Sequence, residues 1–183
     1  MTRKICTIDA STNSLAFAIF HDKELFKFGK INFSGKNNYE KVGDACRKTY
    51  AFLKQFDIDM IVIEHTVFMN SPKTAADLAL VQGGLLGAAA LNGIVVAGSV
   101  SPITWQMYIN NGKLTAPEKL ELRKNNPGKS DSWYKGQERE IRKQKTIRFV
   151  NTYYDKSVSD NDVADAIGIG HWAIHNEEKF NGK

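Results

Sequence analysis

The chain has 183 residues, of which 42% are hydrophobic and 25% charged, ordinary globular values that exclude disordered, collagen-like and coiled-coil classes. A chain of this size buries roughly 70% of the surface its unfolded form exposes, so a single domain over residues 1–183 can hold its own core. The net charge of +5 is concentrated in residues 113–148, which hold eleven of the 25 Lys and Arg against five of the 20 acids, a distribution that suits a polyanionic partner.

From the N-terminus, Ile5, Cys6, Thr7, Ile8 and Asp9 read as a strand. The turn-like Ser11-Thr12-Asn13-Ser14 leads to a second strand over residues 15–20, and the two make a hairpin. A third strand is expected over 24–33, ended by Ser34-Gly35-Lys36-Asn37-Asn38. Between Tyr39 and Phe56, Val42, Cys46, Thr49, Tyr50 and Leu53 recur at three- and four-residue steps, the spacing of an amphipathic helix. Met60-Ile61-Val62-Ile63-Glu64 is a buried strand, and Pro72 opens a helix that Gly93 closes. A short strand at 94–97 precedes a helix capped by Ser101-Pro102, while 113–136, punctuated by Pro117, Pro127, Gly128 and Gly136, reads as an irregular insertion with a short helix near 118–124. A basic helix is expected over 137–154 and a last helix from Ser159 or Asp160 to about His175. Strands and helices in this order give a mixed α/β sheet with an antiparallel start.

No run of about 18 apolar residues occurs, and Met1-Thr2-Arg3-Lys4 enters a strand without a signal-peptide core, so a cytoplasmic protein without a membrane partner is expected. Cys6 and Cys46 have neither CxxC spacing nor a nearby histidine pair and read as reduced core residues.

Two acids interrupt apolar strands: Asp9 after Thr7-Ile8 and Glu64 after Ile61-Val62-Ile63. An ionised carboxylate in an apolar setting is disfavoured by several kcal/mol unless a cation, hydrogen bonds or solvent meets it. Asp162 and Asp165 stand three apart in the last helix and share one face. Together the four make a set of hard oxygen donors suited to Mg²⁺, with Mn²⁺ as substitute, and to hydrolysis with two ions per site. Each has a structural alternative: Asp9 as the cap of a turn with Ser11 and Thr12, Glu64 paired with a lysine, Asp160 or Asp162 as a helix N-cap. His65 falls on the strand face opposite Glu64, and His171 lies two turns beyond Asp165.

The segments Ile8-Asp9-Ala10-Ser11, Val62-Ile63-Glu64 and Asp162-Val163-Ala164-Asp165-Ala166-Ile167-Gly168-Ile169-Gly170-His171 occur in the order seen in the RuvC-type Holliday junction resolvases, including phage-type members, and the last resembles that family's Asp-Ala-Ala-Asp motif. The resemblance covers roughly residues 3–111 and 137–175. It implies a ribonuclease H-like fold: a mixed five-stranded sheet, three antiparallel strands then parallel strands, flanked by helices. It also implies a magnesium-dependent endonuclease resolving four-way DNA junctions, with Asp9, Glu64, Asp162 and Asp165 as catalytic and metal-binding residues. The protein would be a homodimer in a bacterial cell or phage-infected host, with residues 72–92 either at the dimer interface or buried on their own sheet. Phe68 matches an aromatic that stacks on bases near the junction centre, or else plugs its loop into the core. The turn at Asp9-Ala10-Ser11 lacks the glycine common in the family, and residues 113–136 exceed the family's connection. Lys124, Lys129, Lys135, Arg142 and Lys143 are the expected contacts to DNA phosphates, the alternative being a solvated loop.

An actin-like kinase is disfavoured, since the sequence has no second matching hairpin and no glycine-rich phosphate loops; nucleotide hydrolysis without DNA would revive it. Other ribonuclease H-like nucleases acting on forks, flaps or RNA:DNA hybrids, and a non-catalytic module that binds branched DNA, remain as alternatives.

Overall fold

A computed structural model describes residues 3–65 and 71–180. Strands β1 (Lys4–Ala10), β2 (Ser14–His21) and β3 (Glu24–Asn32) form an antiparallel meander, and β4 (Met60–Glu64) and β5 (Val95–Val100) add in parallel beside β1, giving the sheet order β3-β2-β1-β4-β5. The first turn is closed by Ser11, whose hydroxyl accepts from the amides of Asn13 and Ser14. Asp9 is therefore not spent on that turn. Asp22, at φ +53°, makes the second turn in the left-handed region that Asp tolerates, and its carboxylate accepts from the Arg3 amide at 2.7 Å.

The period of two along each strand sorts side chains between two cores. Cys6, Ile8, Leu15, Phe17 and Ile19 face α1 (Asn38–Leu53) and α2 (Pro72–Leu91); Ile5, Ala16, Ala18, Phe20, Met60 and Val62 face α6 (Asn161–Ile174). Helix α6 lies very close to the sheet because it carries glycines where it crosses. A Cβ on Gly170 would stand 2.0 Å from Phe20, and one on Gly168 2.7 Å from Trp105. The buried Thr7 hydroxyl pins the helix in place by donating to the Ala166 carbonyl at 2.7 Å.

Helices α3 (Pro102–Tyr108), α4 (Ala116–Asn125), α5 (Asp131–Tyr154) and α6 follow β5, with a last 3-10 turn at Glu177–Lys179. Here the sequence reading needs correction, because residues 113–136 are mostly helical and not irregular. Thr115 and Glu118 form a reciprocal capping box with Pro117 in the first turn of α4, and α5, capped by Ser130, starts at Asp131, six residues before the helix expected from 137. Pro117 marks a helix start, and Pro127-Gly128 the short link between two helices. Helix α5 ends at Asp155 (φ +51°), where Asn151 holds the returning chain through both the amide and the carbonyl of Val158.

Cys6 is fully buried and Cys46 half-buried; both are free, and burial pushes the Cys6 thiol up to about 12, so it is inert at neutral pH. Among the described residues α2 alone has the length and mean hydropathy (1.4) of a membrane-crossing helix. Val81, Leu85, Ala88 and Ala89 of α2 are buried, whereas Leu80 and Leu91 are exposed.

Candidate active site

The alternation that builds the core also aims the two strand acids. Asp9 is in step with Ile5 and Thr7, and Glu64 with Met60 and Val62, so both fall on the face covered by α6. The parallel register sets Ile8 beside Ile63, and Asp9 and Glu64 follow directly, at adjoining strand ends. At the start of α6 it is Asp160 that caps the helix, its carboxylate accepting from the amides of Asp162 and Val163 at 2.9 and 3.1 Å. With the cap assigned to Asp160, Asp162 and Asp165 project from the first turns toward the strand acids.

The electrostatics register this convergence. Asp9 titrates well above the usual carboxylate range, first because it is largely removed from water and then because Glu64, Asp165 and Asp162 repel its charge. Asp165 is pushed up to about 7 by burial and by Glu64 and Asp162, opposed by a hydrogen bond from Thr146 and the charge of Lys143. Glu64 is raised by burial against the pull of one donor, the Trp105 indole N–H, 2.7 Å from its Oε1. A cavity of about 370 Å³ opens over these groups, lined by Asp9, Glu64 and Asp162 together with Ser11, His65 and Gln82.

Three residues that touch the carboxylates carried no sequence signal as site residues. Lys30 of β3 lies in the same cross-strand row as Asp9, through Ala16, and its ammonium bonds Asp162 at 2.5 Å and Asp160 at 3.1 Å. This raises the lysine, chiefly through the Asp162 bond. Burial would raise Asp160, but the Val163 amide and Lys30 outweigh it and leave that carboxyl lowered. Trp105 reads in sequence as a core residue, and Thr146 as one more position on a basic helix. Thr146 is itself held by the Asn111 side-chain amide at 2.8 Å.

Among the described residues, no three Asp, Glu, His or Cys side chains already stand in metal-ligand geometry. The donor set nevertheless fits a hard divalent cation: four carboxylates supply hard oxygen donors, neighbouring acids oppose the charge of Asp9 and of Asp165, and Lys30 places a positive charge on Asp162. Asp9, Glu64, Asp162 and Asp165 would hold the ions, with Lys30 giving up Asp162.

Of the other candidates, Lys135 and Arg142 line a second, basic cleft, Lys143 lies near Asp165, and Lys124 and Lys129 are exposed outside that cleft, with Lys129 5.7 Å over the Trp133 ring. Phe68 lies outside the described residues. His65 is exposed with Nδ1 3.3 Å from the Ser99 hydroxyl, at the rim of the carboxylate cavity. His171 is buried among Tyr108, Phe149, Tyr153 and Tyr154, shares a hydrogen bond of 2.8 Å between its Nδ1 and the Tyr154 hydroxyl, and is lowered to about 4 by burial and by His175. It is a structural residue.

A meander of three strands followed by two parallel ones, flanked by helices, matches the RuvC, ribonuclease H-like fold. No family model and no curated protein sequence matches the chain. Solved structures do. RuvC of Thermus thermophilus in complex with a Holliday junction substrate superposes with a TM-score of 0.68 at 15% identity over 96% of both chains. The structure titled Thermus thermophilus RuvC gives 0.66 at 14% over 97% of both. The yeast mitochondrial Holliday junction resolvase gives 0.54 at 11% over 98% of this chain and 80% of its own. At these identities the likeness is one of fold.

Proposed function

We propose that this chain is a divalent-metal-dependent endonuclease that acts on branched DNA, with four-way junctions as its principal substrate, and that residues 1–183 work as one nuclease domain. The observation that supports the reading is that Asp9, Glu64 and Asp162, contributed by β1, β4 and α6, line one cleft, with Asp165 near enough for its charge to act on Asp9. Bound Mg²⁺ or Mn²⁺ would activate water and stabilise the leaving oxygen of a phosphodiester. The chain's own groups orient that site: Trp105 fixes one oxygen of Glu64, Thr146 bonds Asp165, and Lys143 adds positive charge beside Asp165 where a phosphate would approach.

Resolution of a four-way junction requires two cuts, and a second copy of the chain supplies the second site. The exposed face of α2 supports this partner. Leu80, Gly83, Gly87 and Leu91 follow at helical spacing, and among the described residues nothing beyond the helix's own neighbouring backbone lies within 4 Å of where a Cβ on Gly83 or Gly87 would be, which leaves room for a closely approaching helix.

The test is a panel of labelled junction, fork, flap, duplex and RNA:DNA hybrid substrates with wild type and Asp9→Asn in Mg²⁺ and Mn²⁺. Paired nicks in the junction, lost in the variant, are expected. Preferential cutting of hybrid or flap would reassign the substrate, metal-independent cleavage would end the metal-dependent mechanism, and absent cleavage of every substrate would end the nuclease reading.

A further inference from the structure

The ammonium of Lys30 is shared between two carboxylates with different duties. Lys30 lies in one cross-strand row with Ala16 and Asp9, and Ala16, wholly buried, puts only a methyl group between the lysine and that acid. Strands about 4.8 Å apart set the backbones of Lys30 and Asp9 about 10 Å from each other. The lysine reaches Asp9 by charge and bonds instead at the start of α6, to Asp162 Oδ2 at 2.5 Å and to Asp160 at 3.1 Å (Oδ2) and 3.4 Å (Oδ1). Among the described residues no other ion pair includes Asp9, Glu64, Asp162 or Asp165.

Asp160 divides its two oxygens. Oδ1 accepts from the Asp162 and Val163 amides and closes the helix, while Oδ2 makes the shorter bond to Lys30. The cap therefore stands whether or not the lysine stays on Asp162. An ammonium carries three donors on a rotating head, so Lys30 can release Asp162 and keep Asp160 by a small turn of its end, without leaving the site. The side chains of Lys30, Asp160 and Asp162 all keep part of their surface in solvent, and ion pairs in such a setting are held weakly enough to rearrange.

We propose that Lys30 is a positioning residue that holds Asp162 in place until a divalent cation takes it, and is then retained by Asp160 alone. The inference rests on the metal-site reading above and adds a built-in competitor to it. An ammonium 2.5 Å from a carboxylate oxygen repels a dication approaching that oxygen, and its passage to Asp160 relieves the repulsion. Metal affinity is thereby set by two residues outside the four acids, with Lys30 opposing the ion and Asp160 making room for it.

The test is Mn²⁺ binding by calorimetry on the full chain, without DNA at pH 7.5, for wild type, Lys30→Gln, Asp160→Asn and the double variant. Asp162→Asn marks which heat belongs to the site, and melting curves confirm the fold. Asn caps a helix as well as Asp does, so Asp160→Asn removes the lysine's second partner and spares the helix start. A partly exposed ion pair corresponds to up to about fivefold, so Lys30→Gln should bind Mn²⁺ about three- to fivefold more tightly than wild type. Asp160→Asn should weaken binding where Lys30 is present and much less in the Lys30→Gln background. Charges that stay in place would contribute the same factor in both backgrounds, whereas a lysine that moves couples the two positions. Affinity unchanged or weakened by Lys30→Gln, or equal factors for Asp160→Asn in both backgrounds, would overturn the hand-over and leave the metal site standing. Absence of Mn²⁺ binding in wild type and every variant would sink the metal site, and the hand-over with it.

Discussion

Glu64 shows how a single neighbour decides what a buried acid can do. Its carboxylate is raised by burial, and the Trp105 indole N–H, itself wholly buried, is the donor that holds one oxygen in place. Because Gly168 leaves no room beside the indole, the ring cannot swing away without disturbing α6. Trp105→Phe keeps most of the packing and removes only the donor. A hydrogen bond to a charged group contributes about 1.5–3 kcal/mol, and loss of a group that orients a metal ligand costs roughly 10–100-fold in metal affinity. The variant should need correspondingly more Mn²⁺ for half-maximal nicking, recover rate at saturating metal, and bind Mn²⁺ more weakly in calorimetry. A fall in saturated rate at unchanged metal affinity would show that Trp105 acts on something other than Glu64. The tryptophan was not legible as a site residue, since an aromatic in the middle of a short helix reads as core. Lys30 was hidden for a different reason: its link to Asp162 depends on cross-strand register, which spacing along one strand does not contain. Asp9 and Glu64 were legible because a charge at the end of an apolar strand is itself anomalous.

At the scale of elements, the strands, the helices capped by Ser71-Pro72 and Ser101-Pro102 and the short helix near 118–124 were readable from alternation and caps, whereas the first turns of α5, from Asp131, were not. The same prolines and glycines that mark loops also mark helix starts and short links, and only the Thr115–Glu118 box distinguishes the two. The closeness of α6 to the sheet was likewise invisible, although the Gly168 and Gly170 that allow it were part of the motif. That closeness sets the height of Asp162 and Asp165 above the strand acids. Gly170→Ala would put a methyl group 2.0 Å from the Phe20 ring, and overpacking of this kind costs about 1–3 kcal/mol. A fall in melting temperature is expected, accompanied by a larger loss of nicking than Gly87→Ala produces, since nothing lies within 4 Å of a Cβ there. Equal stability and activity in the two variants would mean that α6 has slack to move and that its glycines do not set the site.

For the molecule as a whole, the gathered carboxylates oppose folding where they are charged. Asp165 has its ordinary pKa of 3.8 in the unfolded chain and about 7 in the folded one, because burial and two acids disfavour its charge. Between these values the folded chain holds a proton that the unfolded chain has released, so this group's penalty is absent below about pH 4, grows as pH rises, and is complete above about 7. His171, lowered to about 4, acts in the opposite sense across an overlapping range, losing stability as pH falls from 6.5. The wild-type profile therefore mixes the two, and the difference between wild type and Asp165→Asn isolates the carboxylate. In EDTA at pH 7.5 the variant should melt higher than wild type, each kcal/mol appearing as about 2–4 °C, and its advantage should shrink steadily as the pH is lowered toward 4. Saturating Mg²⁺ should reverse the order at pH 7.5, since only the intact set of acids gains full binding energy from the ion. A variant less stable than wild type in EDTA at pH 7.5 would mean that Asp165 is satisfied without metal, and that the acids gathered at the end of the sheet are held by the fold for its own sake.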